Sequence, residues 1–530
     1  MTRRPKQTMS RRKAVLKVSK PRRSTNRRQA SSRISKSEHS SHKRQAAAVS
    51  GQRHGSKSGS KRTLHRSKAG KSQASRIIHK KGKRPFGKLN AAKVSHRFRI
   101  GYEAGYQAGY ESGYSSGVTE GAASFTVTFE GTSIIIPTFN QGELLRQCVE
   151  SIGQFTPEPH EIIIIDNAST DGTADYLRSM TGKLRYRINP DNVGFAGGVN
   201  QGLKMARGSK LLLLNNDTVV TQGWLNNLHR CLDSNARFGL VGPMTNYISG
   251  EQLVATSYTS IEEMHHFAME FNRSDPLRWK KTARITGFCL LFRRELFERL
   301  GYFDEGFLIG NCEDDDFCLR VRLLGMDLVI AGDAFIHHVG SVSMKALGSE
   351  MGEVYGRNLD FYAKKWGSVD QLIVEMESLP ANGERRSMIQ YYPDHAVVQG
   401  NRGAVYELHA GVRRPLAGVE GLQVSPARLS HVELRGCTRG EGIHADEVRQ
   451  RTLAAADHSL GLKEGMLLQK RDGQLFFYEG GRVRRIISEL AVSVWGFDRQ
   501  VPVSVDDSML GSISIGLPII APITLRADNI

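Results

Sequence analysis

The sequence contains few cysteines, and none of them is spaced as a ligand pair or a disulfide framework would be. Its six cysteines lie at positions 148, 231, 289, 312, 318 and 437, without a CxxC pair. This scatter argues against a zinc ribbon and against a small disulfide-stapled secreted fold. We therefore expect reduced thiols in a cytoplasmic protein and assign these residues no role.

The sequence also lacks a long apolar run. No uninterrupted apolar segment reaches the roughly 18 residues of a membrane span. The first 30 residues are basic and contain no apolar signal core. The sequence thus predicts neither a signal peptide nor a transmembrane helix, and any membrane contact would be peripheral, at the inner face.

Acidic residues are almost missing from residues 1–100. This segment carries 32 of the 74 Lys and Arg residues but one of the 53 acidic residues, Glu38, so it accounts for the whole net charge of +21. With few large apolar side chains it cannot offset the entropy of folding, which predicts a disordered basic tail. A polyanion is its expected partner: nucleic acid, an anionic membrane surface or an acidic polymer. A plain solubilising tail explains the charge equally well.

Glycine and tyrosine recur every four positions in GYEAGYQAGYESGYSSG, within residues 101–124. On a helix this spacing places the tyrosines along one stripe, beside a glycine groove that another helix could approach closely. Glycine opposes helix formation by up to about 1 kcal/mol per residue. The segment is either a helix that orders by self-association or a flexible linker.

Strand and helix signals alternate from Thr132 onward. Buried strands are predicted for SIIIP, EIIIIDN, LRYRINP and the leucine run before Asn215, with helical patterns between them. Strand–helix alternation is typical of an α/β fold with a mostly parallel sheet and helices on both faces. We assign this domain to residues 125–370.

Helical signals fade beyond about residue 370, where a linker is predicted over 371–395 and a β-rich module over 396–530. The segments RGAVYELHAGVRRPL (402–416) and DGQLFFYEGGRVRRII (472–487) repeat one plan, and each is typical of a β-hairpin. Matching their basic pairs suggests that the second turn has gained one residue. A final strand is expected in SISIGLPI.

Polar residues follow three of the predicted buried strands. The carboxyl ends of parallel strands meet at one edge of a sheet, where ligands bind. A carboxylate there can accept hydrogen bonds from a base or a ribose, and Phe139 offers an apolar wall. The alternative is that Asn140 and Asp171 only cap helices. The strand-end residues are Pro137, Thr138, Phe139, Asn140, Asp166, Asn167, Ser169, Asn215, Asn216 and Asp217.

Six motifs in order now carry a resemblance: PTFN, DNASTDG, NPDNVGFAGGVNQGL, LLLLNNDTVV, GYFDEGFLIGNCEDDDFCLRVRLLG and HHVGSVS. Over about residues 132–366 the chain resembles the family-two inverting glycosyltransferases of GT-A fold, in the rhamnosyltransferase-like branch. The resemblance implies transfer of a sugar from a UDP- or dTDP-linked donor to a hydroxyl of a glycan or glycoconjugate acceptor. It also suggests a bacterial surface or spore polymer as the product.

The resemblance implies roles for individual residues. Asp166 would contact the nucleotide base, and the NxGxxxGxN segment would bind the donor, although helix-on-sheet packing explains its glycines equally well. The donor-binding set is the strand-end residues above except Asp217, together with Asn192, Gly194, Gly197, Asn200 and Gly287.

The resemblance further implies a divalent cation, Mn²⁺ or Mg²⁺, on the diphosphate of the donor. NND stands for the family's DxD motif, so Asp217 is the expected metal ligand, while Asn215 replaces the first acid and brings no charge. A second ligand is expected from His337 or His338. Because adjacent residues of a strand face opposite ways, only one of them should qualify.

EDDDFCLR places four acidic residues in a row. The first turn of a helix tolerates them, and Asp316 could pair with Arg320 four positions later. Four like charges repel, which is more easily understood if one carboxylate is poised to take a proton. By resemblance, Asp314 is the general base and Glu313 its neighbour at the acceptor.

Two other functions fit parts of the sequence. The missing first acid in NND is compatible with a catalytically weak or inactive scaffold that binds a polymer. The basic tail alone would fit a protein that binds nucleic acid, but no base-reading or stacking motif accompanies the charge.

Overall fold

The computed structural model describes most of the chain after the predicted tail and Gly-Tyr repeat, which lie outside the described residues. Among the described residues, no helix is long and apolar enough to cross a membrane. The described residues are 128–340, 348, 350–379, 385–400, 403–421, 425–456 and 461–526.

One large mixed sheet organises the region that contains the six motifs. Its strand order is β3-β2-β1-β4-β8-β6-β9-β5, with β7 paired to β9. The first four strands pair in parallel, as predicted, whereas β8 runs antiparallel to both β4 and β6. The strands are β1 Phe129–Thr138, β2 His160–Asp166, β3 Arg185–Ile188, β4 Gly208–Leu214, β5 Thr218–Val219, β6 Phe238–Thr245, β7 Trp279–Thr282, β8 Cys289–Arg293 and β9 Asp327–His338.

The central strands are covered on both faces. Ile135 and Leu213 belong to one hydrophobic core, and Ile134 and Leu212 belong to a second core on the other face of the sheet. Side chains alternate between the two faces of a strand, so a strand between two cores has to be apolar at every position. This explains the unbroken isoleucine and leucine runs of β1 and β4.

Helices follow the strands as the alternating pattern predicts. A Cβ atom at position 202 would collide with Ile135, so glycine lets the third helix lie close against β1. The helices are α1 Gly142–Phe155, α2 Thr173–Ser179, α3 Gly194–Met205, α4 Trp224–Ser234, α5 Ile261–Phe271, α6 Arg294–Leu300, α7 Glu313–Leu323, α8 Glu350–Trp366 and α9 Val369–Ser378.

The predicted linker is not an open connection. Helix α9 occupies its first part and a 3₁₀ turn, Met388–Tyr391, its last part. Leu372 and Tyr391 are fully buried in the core cluster that also contains Ile135 and Leu408. Residues on both sides of 371–395 therefore share one core.

The C-terminal part contains two sheets that share one five-strand plan, and the first has a sixth strand, β15, which pairs in parallel with β12. Their strand orders are β13-β10-β11-β12-β14 and β19-β16-β17-β18-β20, with antiparallel central hairpins and parallel outer strands. The first copy contains β10 Val397–Gln399, β11 Val405–His409, β12 Val412–Ala417, β13 Ala427–Arg428, α10 His431–Arg435 and β14 Thr438–Arg439, followed by β15 Ile443–His444 and α11 Ala445–Ala456. The second contains β16 Met466–Gln469, β17 Leu475–Glu479, β18 Arg482–Arg485, α12 Glu489–Val494, β19 Val503–Ser504, α13 Asp507–Gly511 and β20 Ser514–Ile515.

The predicted extra residue in the second turn is wrong. Glu407 pairs with Arg414 and Phe477 pairs with Arg484, so the two hairpins have the same register. Both turns have two residues of positive φ, Ala410–Gly411 and Gly480–Gly481. Such turns match the twist of a hairpin, and their length is fixed by the backbone. The prediction aligns Arg413 with Arg484, but the strand pairing makes Arg414 the counterpart of Arg484, and Arg413 faces the other side of its sheet.

The predicted final strand is short. Within SISIGLPI only Ser514–Ile515 forms a strand, and Ile519 makes an isolated bridge to Ile486. The chain then continues to residue 526 without regular structure and returns to the large domain.

Candidate functional site

A cleft of about 1030 Å³ opens at the carboxyl ends of β1 and β4, beside the N-terminus of α7. It contains most of the residues predicted from the sequence, including both acidic centres. The predicted residues that line it are Pro137, Thr138, Phe139, Asn140, Asn167, Asn192, Asn215, Asn216, Asp217, Gly287, Glu313, Asp314 and His338. Asp166, Ser169, Gly194, Gly197, Asn200 and His337 do not line it.

Asp217 and His338 meet because β5 pairs antiparallel with the end of β9. Thr218 lies opposite His338 in this register, which brings the preceding residue, Asp217, against the imidazole ring. His338 Nε2 lies 3.2 Å from Asp217 Oδ1, and both side chains are buried. The other ring nitrogen, Nδ1, lies 2.8 Å from the backbone oxygen of Tyr247. That oxygen can only accept, so Nδ1 carries a proton, and Nε2 is the ring nitrogen that faces the carboxylate.

This arrangement fits a divalent cation. Among the described residues, His338 Nε2 has no hydrogen-bond donor to satisfy it, although it is buried. A buried lone pair and a carboxylate oxygen that face each other are more stable when a cation lies between them. Phe288 stacks on the imidazole with ring centroids 5.4 Å apart and restricts its rotation.

His337 faces the opposite side of β9, as strand alternation predicts. Its Nδ1 lies 2.7 Å from the hydroxyl of Tyr258, and burial lowers the pKa of its imidazole. Of the two histidines predicted as alternatives, the structure places His338 beside Asp217.

The two asparagines of NND differ in their contacts. Asn216 Nδ2 donates to Thr138 Oγ1 at 2.8 Å and so ties the end of β4 to the end of β1. Asn215 lines the cleft, while its backbone oxygen accepts a hydrogen bond from Thr218. Asn216 therefore shapes the cleft, and Asn215 offers its amide at the surface.

The four consecutive acids of α7 point in different directions, because successive residues of a helix are turned by about 100°. Glu313 and Asp314 line the cleft, whereas Asp315 does not line it and pairs with Arg284. Asp316 is fully buried and accepts from Arg320 at 2.8 Å, the pairing that their spacing predicts. The excess of negative charge at the cleft is thus carried by Glu313 and Asp314.

These two carboxylates are held differently. Asp314 Oδ2 accepts a hydrogen bond from the backbone nitrogen of Gly287 at 2.9 Å, and Arg284 Nη2 lies 3.7 Å from it. Glu313 Oε2 is buried without a hydrogen-bond partner among the described residues. Burial, followed by repulsion from Asp314, raises the pKa of Glu313 well above its usual value. Glu313 therefore holds a proton more readily than an ordinary glutamate does.

The loops after β1 and β2 interlock at the other end of the cleft. Ser169 Oγ accepts from the backbone nitrogen of Asn140 at 2.7 Å, and Asn140 Oδ1 accepts from the backbone nitrogen of Thr170 at 2.8 Å. Asp171 Oδ2 accepts from Gly142 in the first turn of α1, so its capping role is confirmed. Ser169 thus shapes this end of the cleft from behind.

Asp166 lies just behind the cleft surface. Its Oδ1 accepts from the backbone nitrogen of Ser169 at 3.0 Å. Its Oδ2 is buried and has no hydrogen-bond partner within the described part of the chain. Asp166 thus holds the loop after β2 and keeps one unsatisfied acceptor without lining the cleft.

The NxGxxxGxN segment contributes less to the cleft than the resemblance implies. Asn192 Oδ1 accepts from the backbone nitrogen of Gly194 and orders the start of α3. The next amide, that of Phe195, donates to the backbone oxygen of Ile309, so the loop before α7 covers this helix terminus. Gly197 lies inside α3 against Val193.

Asn200 is fully buried away from the cleft. Its amide donates to the backbone oxygen of Phe303 and accepts from the nitrogen of the same residue. It also donates to Glu305 at 2.9 Å. Asn200 therefore anchors the FDE segment, residues 303–305, and does not line the cleft.

Sequence reasoning missed the residues that position the predicted ones. Asn246 bonds to both the backbone nitrogen and the backbone oxygen of His338, and with Tyr247 it fixes the histidine. Both lie directly after the buried strand β6, so the strand-end signal used elsewhere would have found them. Asn358 on α8 holds the backbone of residues 308–311, in which Ile309 and Asn311 have positive φ. No local signal marks that asparagine.

Comparison with known proteins gives one family match and several relatives. Residues 133–301 match the family model described as Glycosyl transferase family 2. The chain is 28% identical over 259 residues to the protein y4gI of Sinorhizobium fredii, a match that covers 46% of this chain and 28% of that protein. It is 23% identical over 208 residues to glycosyltransferase GlyG of Streptococcus pneumoniae, covering 38% of this chain and 68% of that protein.

Among solved structures, the chain resembles a mannosyltransferase, PcManGT from Pyrobaculum calidifontis, in complex with GDP-Man and Mn²⁺. The two are 18% identical, the match covers 47% of this chain and 70% of that chain, and the TM-score is 0.33. The chain spans less than a third of y4gI, and about two thirds of GlyG. Residues 133–301 therefore match the predicted glycosyltransferase family 2, and the predicted α/β fold class is confirmed. The rhamnosyltransferase-like branch remains a prediction.

Proposed function

Residues 133–301 form a glycosyl transferase family 2 domain, and we propose that this domain moves a sugar from a UDP- or dTDP-linked donor to a glycan or glycoconjugate hydroxyl. The observation that supports the proposal is the single cleft lined by both Asp217 with His338 and Glu313 with Asp314. One group of side chains suits a cation and its diphosphate, and the other suits a hydroxyl proton. A cleft of about 1030 Å³ has room for a nucleotide sugar.

The chemical step we propose is a single in-line displacement with inversion at the anomeric carbon. The acceptor oxygen forms a bond to that carbon while the bond from the carbon to the diphosphate oxygen breaks. Asp314 takes the hydroxyl proton, and the nucleoside diphosphate leaves with the electron pair. Gly287 and Arg284 hold the Asp314 carboxylate in place, and the close approach of Gly287 leaves no room for a side chain there.

Asp217 and His338 would hold the Mn²⁺ or Mg²⁺ ion. When bound, the ion would supply positive charge to the diphosphate of the donor. Asn215 can add a neutral oxygen ligand or contact the ribose, but it contributes no charge. The contact of His338 Nδ1 with the backbone oxygen of Tyr247 leaves Nε2 as the nitrogen that would bind the ion.

The two adjacent histidines provide a matched test of this ion site. His338→Ala is expected to weaken Mn²⁺ binding by at least tenfold, the order of effect seen when metal sites lose a supporting group. His337→Ala should leave Mn²⁺ binding unchanged, because that ring faces Tyr258. Titration calorimetry with Mn²⁺ in the presence of UDP measures both. Equal losses in the two variants would count against the assignment.

Turnover tests the function itself. The purified chain would be screened against a panel of UDP-, dTDP- and GDP-sugars for release of the nucleoside diphosphate, with and without Mn²⁺. Release from one donor that disappears in Asp217→Ala supports the transferase. Donor binding in calorimetry without any release would favour the second candidate, a binding scaffold, to which the neutral Asn215 points.

The raised pKa of Glu313 predicts a pH-dependent change in stability. The folded state binds this proton more tightly than the unfolded state, so native Glu313 lowers stability as the pH rises from about 4.5 through the folded pKa. Glu313→Gln lacks that loss. Its Tm should exceed the native Tm near neutral pH, by roughly 2–4 °C for each kcal/mol of difference in unfolding free energy. This difference in Tm should shrink toward pH 4.5.

Thermal unfolding between pH 5 and 8 checks this expectation. Glu143→Gln is the control, because Glu143 is an exposed glutamate in the first turn of α1. A Glu313→Gln protein whose Tm difference is constant across this pH range would show that Glu313 has no raised pKa.

A further inference from the structure

The first C-terminal repeat contains a cluster of potential metal ligands remote in sequence from the cleft. Asp394, His395 and His409 each offer one ligand atom, and these atoms lie within 4.8 Å of one another. All three side chains are half-buried, so an ion could reach them. We infer that they form a second metal site, for a divalent ion of the zinc class.

The surroundings of the two histidines support this inference. His409 Nδ1 lies 3.0 Å from Asp394 Oδ2, and His395 Nδ1 lies 3.0 Å from Glu407 Oε1. The Asp394 oxygen and the His409 nitrogen are thus as close together as two ligands of one ion, and Glu407 stands behind the His395 ring as a carboxylate often does behind a metal-bound histidine. The two rings stack with centroids 4.3 Å apart and an interplanar angle of 13°, so the histidines lie side by side.

The local charges leave room for a cation. Glu407 is fully buried, and its charge is balanced by Arg414 and Arg451. Arg451 also lies 2.7 Å from His395 Nδ1, on the Glu407 side of the ring. The carboxylate of Asp394 remains as the negative charge that faces the two imidazoles.

The second repeat shows what the fold itself requires at these positions. Asp394 Oδ1 accepts from the turn amide of Ala410 at 2.7 Å, and Glu464 Oε2 accepts from the matching amide of Gly480 at 2.7 Å. The acid is therefore a structural feature of both copies. The histidines are not, because Gly465 and Glu479 occupy the positions that match His395 and His409.

His395 is also placed where glycine would be less strained. Its φ is +60°, and the matching Gly465 has a φ of +86°. The fold needs a left-handed residue before the first strand of each copy, and a residue with a Cβ pays a steric penalty there. A histidine kept in such a conformation is typical of a functional position.

The ligand atoms favour a particular class of ion. Two imidazole nitrogens and one carboxylate suit Zn²⁺, Co²⁺ or Ni²⁺, whereas Mg²⁺ and Mn²⁺ prefer sets richer in oxygen. Three protein ligands leave a fourth tetrahedral position for water or another group. The site therefore differs in chemistry from the Asp217–His338 pair and does not depend on the function proposed for the cleft.

The second repeat supplies the test variants. The full chain, without an affinity tag, would be titrated with Zn²⁺ in excess Mg²⁺, which competes for the oxygen-rich cleft. His395→Gly and His409→Glu introduce the residues of the second copy, so the fold is expected to accept them. Each should weaken the tightest Zn²⁺ site by at least 100-fold and abolish the rise in Tm on Zn²⁺ addition, with the Tm in chelator unchanged.

His444→Gln is the control, because His444 forms an exposed pair with Asp446, 3.0 Å away, outside the cluster. Co²⁺ should give the visible absorption of a tetrahedral site in the native chain and in this control, but not in the two variants. Zn²⁺ binding that survives in His395→Gly and His409→Glu, or that falls equally in His444→Gln, would overturn the inference as adventitious binding to surface histidines.

Discussion

Asp314→Asn is expected to lower the rate of sugar transfer by about 10²- to 10⁴-fold, the usual contribution of a general base. The amide has the same shape and can still accept the hydrogen bond from Gly287, so the cleft should keep its form. It cannot take the proton of the acceptor hydroxyl. Steady-state transfer from the donor found in the screen measures the rate, and calorimetry should show unchanged donor affinity.

Asp315→Asn is the matched control for this prediction. Asp315 is the next residue of α7, but it does not line the cleft and pairs with Arg284. Asp315→Asn changes the same net charge and leaves Arg284 beside Asp314, so transfer should fall by less than about tenfold. If Asp314→Asn transferred sugar at the native rate, or if both variants lost activity equally, Asp314 would not be the base.

The ends of the buried strands show what can be predicted from the sequence. The strand ends were located because β1 and β4 are buried on both faces, and that condition leaves its signal in every residue of the strand. The expectation of Asp217 and a histidine comes from the resemblance, and strand alternation adds only that one of His337 and His338 qualifies. The pairing of β5 with β9, which the sequence does not reveal, selects His338. Most of the cleft could therefore be predicted from the sequence.

The remaining errors concern residues whose contacts come from distant parts of the chain. Asn200 and Asn358 are both buried asparagines on helices, yet one anchors Phe303 and the other holds the loop before α7. Spacing does not reveal which backbone an amide will meet across a core. The predicted length of the second hairpin turn is wrong for a similar reason. Aligning the basic residues of the two repeats does not give the turn length, which depends on the pairing register of the backbone.

The FDE segment shows the same limit. Asp304 and Glu305 belong to the fifth motif of the resemblance, but both are buried and neither lines the cleft. Asp304 Oδ1 accepts from the backbone nitrogen of Thr524, and Glu305 Oε2 accepts from that of Arg526. Residues after the second repeat, which the family motifs do not include, are thus held by acids of the large domain.

Lys365→Met is expected to destabilise the folded chain by about 3–5 kcal/mol, the cost of removing one partner from a buried ion pair. Lys365 Nζ lies 2.6 Å from Asp304 Oδ2 and also pairs with Asp316, and all three side chains are fully buried. Methionine fills a similar volume but leaves two carboxylates without their shared cation. Urea unfolding at pH 7 measures the change.

Lys364→Met is the control, because Lys364 is the exposed neighbour on α8 and its substitution should change stability by less than about 0.5 kcal/mol.

The pH dependence of stability provides a second check, through the partner carboxylate Asp316. Burial raises the pKa of Asp316, but Lys365 and Arg320 outweigh it and hold that pKa below its usual value. Asp316 therefore contributes stability above its unfolded pKa that is lost as the pH falls through the folded pKa. Without Lys365 the pKa of folded Asp316 is less depressed, so the variant has less of this stability to lose, and the difference in unfolding free energy between native and Lys365→Met proteins should narrow on acidification. A constant difference, or equal effects of the two lysine substitutions, would mean that Lys365 does not hold the two carboxylates in their charged form.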